Sequence, residues 1–159
     1  MRSLLDILAI IGAKYLFLAS LFVGGIFFLK ARRDVQKKIV IASLLAVPLI
    51  LLAAFIANHS YDNPRPFVIL HFTPLIPHSP DNGFPSDHVL LASAIAMVLG
   101  LFGRRIGVIL WSIPILIAFS RVYVGVHHPL DVIASMLIAI VVTILVREGI
   151  RRRSPRFFN

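Results

Sequence analysis

The chain has 159 residues, 58% of them hydrophobic, with a mean hydropathy of +0.92 and a formal charge of +9. That composition lies outside the range of soluble globular chains and predicts one membrane-embedded domain spanning 1–159. The absence of cysteine excludes a disulfide framework and a thiolate zinc site.

Crossing a hydrocarbon core of about 30 Å takes roughly 17 to 25 apolar residues. Five runs are read in chain order: within 4–29, 39–57, about 87–102, 106–120 and 129–146. They predict an all-α bundle of about five transmembrane helices. The first run is longer than one span requires and is divided by Asp6 and Lys14. Residues 3–12 are therefore expected to lie along the interface as a separate helix, with the chain turning in near residue 13. The run continues apolar to Leu29 and stops at a basic cluster, so it reads as a span rather than a cleaved leader. Pro48 and Pro114 sit inside the second and fourth runs, where each removes a helical hydrogen bond. Ala92, Ala96 and Gly100, four apart, allow close helix packing on the third.

Charge is distributed unevenly. Twelve of the 16 Lys and Arg fall in three stretches, Lys30 to Lys38, Arg104-Arg105 and Arg147 to Arg156. Each follows or links an apolar run, which is the pattern of cytoplasmic loops rather than of a nucleic-acid patch. With five spans, the N-terminus is expected outside and the C-terminus inside. The tail Arg151-Arg152-Arg153 suits anionic headgroups, at about 1 kcal/mol per basic residue.

On that map three polar strings converge on the outer face: Asn58-His-Ser-Tyr-Asp-Asn-Pro-Arg65-Pro66, Phe84-Pro85-Ser86-Asp87-His88, and Ser120-Arg121 followed by His127-His128 and Asp131. Ionisable groups at membrane depth are costly and mark function. Asp131 lies about one helical turn beyond His127, near enough to hold an imidazole in one tautomer and free its other nitrogen for attack. Ser86 stands at the start of a predicted helix, where it can cap the turn and donate to an anion. His88 suits proton donation to a leaving oxygen. The planar forks of Arg65 and Arg121 match phosphate oxygens. Asn58, Asn63 and His78 are candidate substrate contacts, and His71 is weighed with His78 because both lie in the Pro-rich loop 67–83, read as a mobile lid.

These strings resemble the signature of the type-2 phosphatidic acid phosphatase superfamily, Lys-x6-Arg-Pro, Pro-Ser-Gly-His and Ser-Arg-x5-His-x3-Asp. The resemblance implies that His127, rather than His128, is the nucleophile, Asp131 its partner and His88 the acid. It further implies phosphate ligands at Arg65, Ser86 and Arg121, with no metal and no cofactor. Two positions depart, since Asn58 replaces the Lys and Asp87 replaces the Gly. The run Arg65-Pro-Phe, Leu75-Ile-Pro-His78, Phe84-Pro-Ser-Asp-His88 is similar to the bacitracin-resistance branch, the undecaprenyl-diphosphate phosphatases. That branch implies a polyprenyl diphosphate substrate at the outer face of a bacterial cytoplasmic membrane. Asp87 is expected to serve the phosphate site by orienting Arg65 and favouring a diphosphate. The rival substrates are phosphatidylglycerophosphate, phosphatidate and lipid A. A lipid-binding scaffold and a metal-dependent hydrolase are the rival classes, the latter weakened by the lack of compact ligand spacing.

Overall fold

The structure, a computed structural model, describes residues 2–158 and is all-helical among them. Its elements are α1 Leu4–Lys30, α2 Arg33–Ser60, α3 Pro66–Ile69, α4 Asp87–Gly100, α5 Arg104–Tyr123 and α6 Pro129–Arg153. α1, α2, α5 and α6 are long and apolar enough to cross a membrane.

The first run is one continuous helix, which corrects the expected interfacial segment at 3–12. Ser3 Oγ accepts from the Asp6 amide at 3.1 Å and Asp6 accepts from the Ser3 amide at 2.8 Å, a reciprocal cap that starts the helix at Leu4. Gly12 and Ala13, in the middle of the expected turn, are buried instead. A Cβ at Gly12 would collide with Ser120, so the small residue lets α1 and α5 touch. Lys14 stays exposed on the opposite side and breaks nothing.

The third run is also shorter than expected. α4 has 14 residues, about 21 Å at 1.5 Å per residue, and falls short of a full span by length. It is the central helix instead. Its Leu90, Ala94 and Val98, four apart, pack on the matching ladder Ala42, Ala46, Ile50 and Ala54 of α2. Its other face, with Val89, Ala92 and Ala96, packs on Leu110, Ile113 and Ile117 of α5. The two helices pinch together where a Cβ on Gly107 would come within 2.9 Å of the Gly100 Cα. That contact and the tight turn at 101–103 let a short helix connect the two ends of longer neighbours.

Those ends differ in content. At one, Phe102 meets Phe157 and Phe158, Lys38 lies over the Phe157 ring, and Gln36 donates to the Phe28 carbonyl. The three basic stretches gather there. At the other, the start of α1, the end of α2, α3, the start of α4, the end of α5 and the start of α6 surround the polar strings.

Candidate active site

The site is assembled by a loop that folds back on itself. Arg65 caps α3, whose first turn holds Pro66, a residue suited to that position because it needs no amide donor. The chain then runs out and returns, and Pro64 pairs with Asn82 in an isolated antiparallel bridge. Asn82 fastens the return. Its Oδ1 accepts from the amides of Asn63 and Phe84, both at 3.0 Å, and its Nδ2 donates to the carbonyls of Asn58 and Tyr61, both at 2.9 Å. Ile76, buried against Ala13, Val124 and Val126, pins the middle of the loop. Gly125 holds φ at 83°, and a Cβ there would strike the Phe72 ring. The loop expected to be a mobile lid is thus anchored by packing and hydrogen bonds.

Behind the loop lies a buried histidine–carboxylate pair. His127 Nδ1 is 3.3 Å from Asp131 Oδ2. Asp131 also accepts from Asn63 Nδ2 at 2.7 Å and from the His128 amide at 2.8 Å, so it can only be an acceptor towards the ring. His127 Nε2 faces Arg121 Nη2 at 3.1 Å and Arg65 Nη1 at 3.4 Å. A guanidinium only donates, so Nε2 carries a lone pair and Nδ1 carries the proton. Burial holds this imidazole below its usual range, and the two arginines add to the depression while Asp131 opposes it. The neutral form, with its lone pair, is the one present at pH 7.

Both arginines are buried, at 6% and 4% exposure, yet they are held differently. Arg65 donates from Nε to Asp81 at 2.7 Å and from Nη1 to the Val126 carbonyl at 2.8 Å. Arg121 donates to His78 Nε2 at 3.1 Å and to the Ala13 carbonyl at 3.4 Å. Burial pushes the Asp81 carboxyl up, but the Arg65 hydrogen bond and charge outweigh it and hold the group below its usual range.

A cavity of about 490 Å³ opens over these groups. Asn58, Arg65, His78, Asp81, Asp87, His88, Arg121 and His127 all reach it, together with apolar Leu51, Ala54, Phe55 and Leu90. Ser86 is fully buried beside it as the residue preceding α4, and its Oγ has no hydrogen-bond partner among the described residues, so it does not cap the helix. Its carbonyl is held instead, by Ser135 Oγ at 2.9 Å, which ties α4 to α6. His88 lies edge-on to Phe17 at 5.4 Å.

Other expected residues are placed differently. Asn63 spends its amide on Asp131 and supports the His127–Asp131 pair instead of facing the cavity. Asn58 lines the cavity, but its Nδ2 donates to the Phe84 carbonyl at 2.6 Å. Asp87 is exposed at the cavity, and the carboxylate bonded to Arg65 is Asp81, which corrects the role expected of Asp87. The bridge at Asn82 explains this, because it brings residue 81 beside residue 65. His128 points its Nε2 at the Pro64 carbonyl, 3.1 Å away. His71 is exposed and does not reach the cavity. Sequence spacing singles out neither Asp81 nor Asn82, and it marks Gly83 only as part of the expected lid. A Cβ at Gly83 would lie 3.1 Å from Asp131 Oδ2, so the glycine lets the loop close on the carboxylate that holds His127.

Comparison with known proteins places the chain in a family. The chain is 32% identical over 148 residues to undecaprenyl-diphosphatase BcrC of Bacillus subtilis, covering 91% of this chain and 74% of that protein. It spans only 52% to 61% of the length of other curated relatives it matches. The crystal structure of Aquifex aeolicus LpxE superposes with a TM-score of 0.67 at 30% identity, over 93% of this chain and 88% of that one. A PAP2-type phosphatidylglycerolphosphate phosphatase from Bacillus subtilis superposes with a TM-score of 0.64 at 25% identity, over 99% and 81%. The PAP2 superfamily profile matches residues 36–155, and the chain belongs to that superfamily of phosphatases.

Proposed function

We propose that this membrane phosphatase removes the terminal phosphate of undecaprenyl diphosphate, or of a closely similar polyprenyl diphosphate, through a metal-independent phosphohistidine on His127. The observation that carries the mechanism is the setting of His127, with Nδ1 against Asp131 and Nε2 between two guanidinium groups. Phosphoryl oxygens are stronger acceptors than an imidazole nitrogen, so an incoming phosphate draws both arginines onto itself and frees the lone pair. Nε2 then attacks phosphorus, the bond to the bridging oxygen breaks, and His88 gives that oxygen its proton. Water, deprotonated by His88, next cleaves the phosphorus–nitrogen bond and releases inorganic phosphate. Arg65, Arg121 and Ser86 hold the three phosphoryl oxygens through the transfer. Asp131 stabilises the imidazolium-like charge of the intermediate.

Lipid substrates are favoured by the cavity wall. Leu51 and Phe55, 55% and 60% exposed, line it on the flank that faces hydrocarbon. The polyprenyl diphosphate is favoured by the relative from Bacillus subtilis, while the superposed phosphatidylglycerolphosphate phosphatase favours phosphatidylglycerophosphate as the second reading. The site faces outward across the cytoplasmic membrane on this reading, because all three basic stretches gather at the opposite end.

Purified protein given undecaprenyl diphosphate, phosphatidylglycerophosphate, phosphatidate and lipid A in the presence of chelator tests substrate and metal independence together. Release of phosphate from the diphosphate with the highest kcat/KM is the expected result. Preference for a monophosphate lipid would replace the first reading with the second. Cysteines placed at 62 and 81 should label from outside intact cells and those at 33 and 152 should not.

A further inference from the structure

We propose that His78 is a phosphoryl-binding residue that reverses its role on binding, from acceptor of an Arg121 hydrogen bond to protonated donor towards the oxyanion. The inference rests on the phosphatase reading above and adds a residue to its binding set.

The placement of His78 is fixed by the fold. It lies between two anchors of the loop, Ile76 in the core and Asn82 in its four hydrogen bonds. Its ring lines the cavity with the centroid 6.3 Å from that of His127. Both imidazoles take a hydrogen from the same nitrogen, since Arg121 Nη2 is 3.1 Å from His78 Nε2 and 3.1 Å from His127 Nε2. One amino group has two hydrogens and serves two acceptors. A phosphoryl group within reach of His127 Nε2 necessarily meets this nitrogen and claims its hydrogens. His78 Nε2 then presents a bare lone pair to an anion, an arrangement that is repulsive until the nitrogen takes up a proton.

Charge balance points the same way. Two guanidinium groups, Arg65 and Arg121, stand with three carboxylates, Asp81, Asp87 and Asp131, around the cavity and its reactive histidine. A phosphate dianion entering that set gains from one more cation, and His78 is the titratable group already in contact with the ligating arginine. The groups that face it are Arg121 from α5, Arg65 from the α3 cap, His127 from the loop before α6, His88 and Asp87 from α4, and Asp81 from its own loop. Burial and the two arginines hold its imidazole below the usual range, and an oxyanion that neutralises the arginines removes the second of these causes. The proton comes from solvent, one per oxyanion bound at this residue.

Tungstate, a dianion whose own charge is constant from pH 6.5 to 8.5, separates this from titration of the ligand. Calorimetry of tungstate binding to the detergent-purified full chain, in two buffers of different ionisation enthalpy, counts the protons taken up. Wild-type protein should take up protons and bind roughly 5–10-fold more tightly at pH 6.5 than at pH 8.5. His78→Gln should lose most of that uptake and flatten the pH dependence. His78→Lys, a permanent cation, should bind tightly with a flat profile, and it keeps the test decisive if the Gln variant proves unstable. Uptake and slope unchanged in His78→Gln would overturn the inference while leaving the phosphatase reading intact. Failure of wild-type protein to bind any tungstate in the cavity would count against the phosphatase reading itself.

Discussion

The two ends of the bundle carry arginines in opposite ways. At the basic end the ion pairs are local and exposed: Arg151 and Arg152 with Glu148, and Arg32 with Asp34. At the site end Arg65 reaches Asp81 across 16 residues and the Val126 carbonyl across 61, while Arg121 reaches the Ala13 carbonyl across 108. Exposed pairs of this kind contribute little because water competes for both partners. A buried guanidinium costs several kcal/mol unless its donors are occupied, so each site-end arginine requires a specific scaffold. Counting charge would rank the basic end first, whereas burial and the sequence distance to the partner select the site.

Substitutions can break this contrast or sharpen it. The largest effect is expected at His127: the Ala variant should have no turnover, because the covalent route is lost, while His128→Ala should retain activity. Loss of activity in His128→Ala alone, with His127→Ala active, would reassign the nucleophile. Next comes Asp131→Asn, which should lower kcat by roughly 10²–10⁴-fold through loss of the Nδ1 acceptor. In wild-type protein the His127 pKa lies below the ordinary imidazole range, so the neutral nucleophile persists as pH falls. The acid limb of kcat/KM should therefore lie below that range, and a limb above it would exclude His127 as the titrating group. Arg65→Lys and Arg121→Lys keep charge but lose the planar fork, and each should cost about 10-fold or more in kcat/KM, from about 1.5–3 kcal/mol per charged hydrogen bond. Undiminished kcat/KM in both would reduce the arginines to topological markers. Asn82→Ala should lower the unfolding temperature and kcat together, since its two acceptances and two donations all join catalytic strings. At the small end, Glu148→Gln should change neither, and a measurable loss there would show that the basic end shares the site's energetics.

Much of this was legible in sequence because it is periodic or locally spaced. Hydropathy marked where the helices lie, and the one-turn spacing of His127 and Asp131 marked a histidine–carboxylate pair that the fold brings to 3.3 Å. Ser120-Arg121 and Arg65-Pro66 stood out because arginine is expensive at membrane depth. What escaped depends on return paths. Asp81 and Asn82 resemble any polar loop tip until the pairing of Pro64 with Asn82 brings them beside Arg65, Asn58 and Tyr61. Asp87 attracted attention because it departs from the family pattern, yet it is Asp81 that takes Arg65, and spacing along the chain carries no trace of that choice. The break expected near residue 13 failed for a similar reason. Lys14 looked like a divider in one dimension, but on the helix it simply occupies the side away from Gly12 and Ala13.

The unbroken first helix has a further consequence. With 27 residues it is about 40 Å long, some 10 Å more than a typical hydrocarbon core, and its polar ends at Asp6 and Lys30 suit the headgroup regions on either side. Its Ala13 carbonyl is also a rest for the Arg121 guanidinium. Because Gly12 packs directly on Ser120, the carbonyl and the α5 arginine it receives belong to one seam, so α1 serves the site as a fixed strut rather than as a loose anchor.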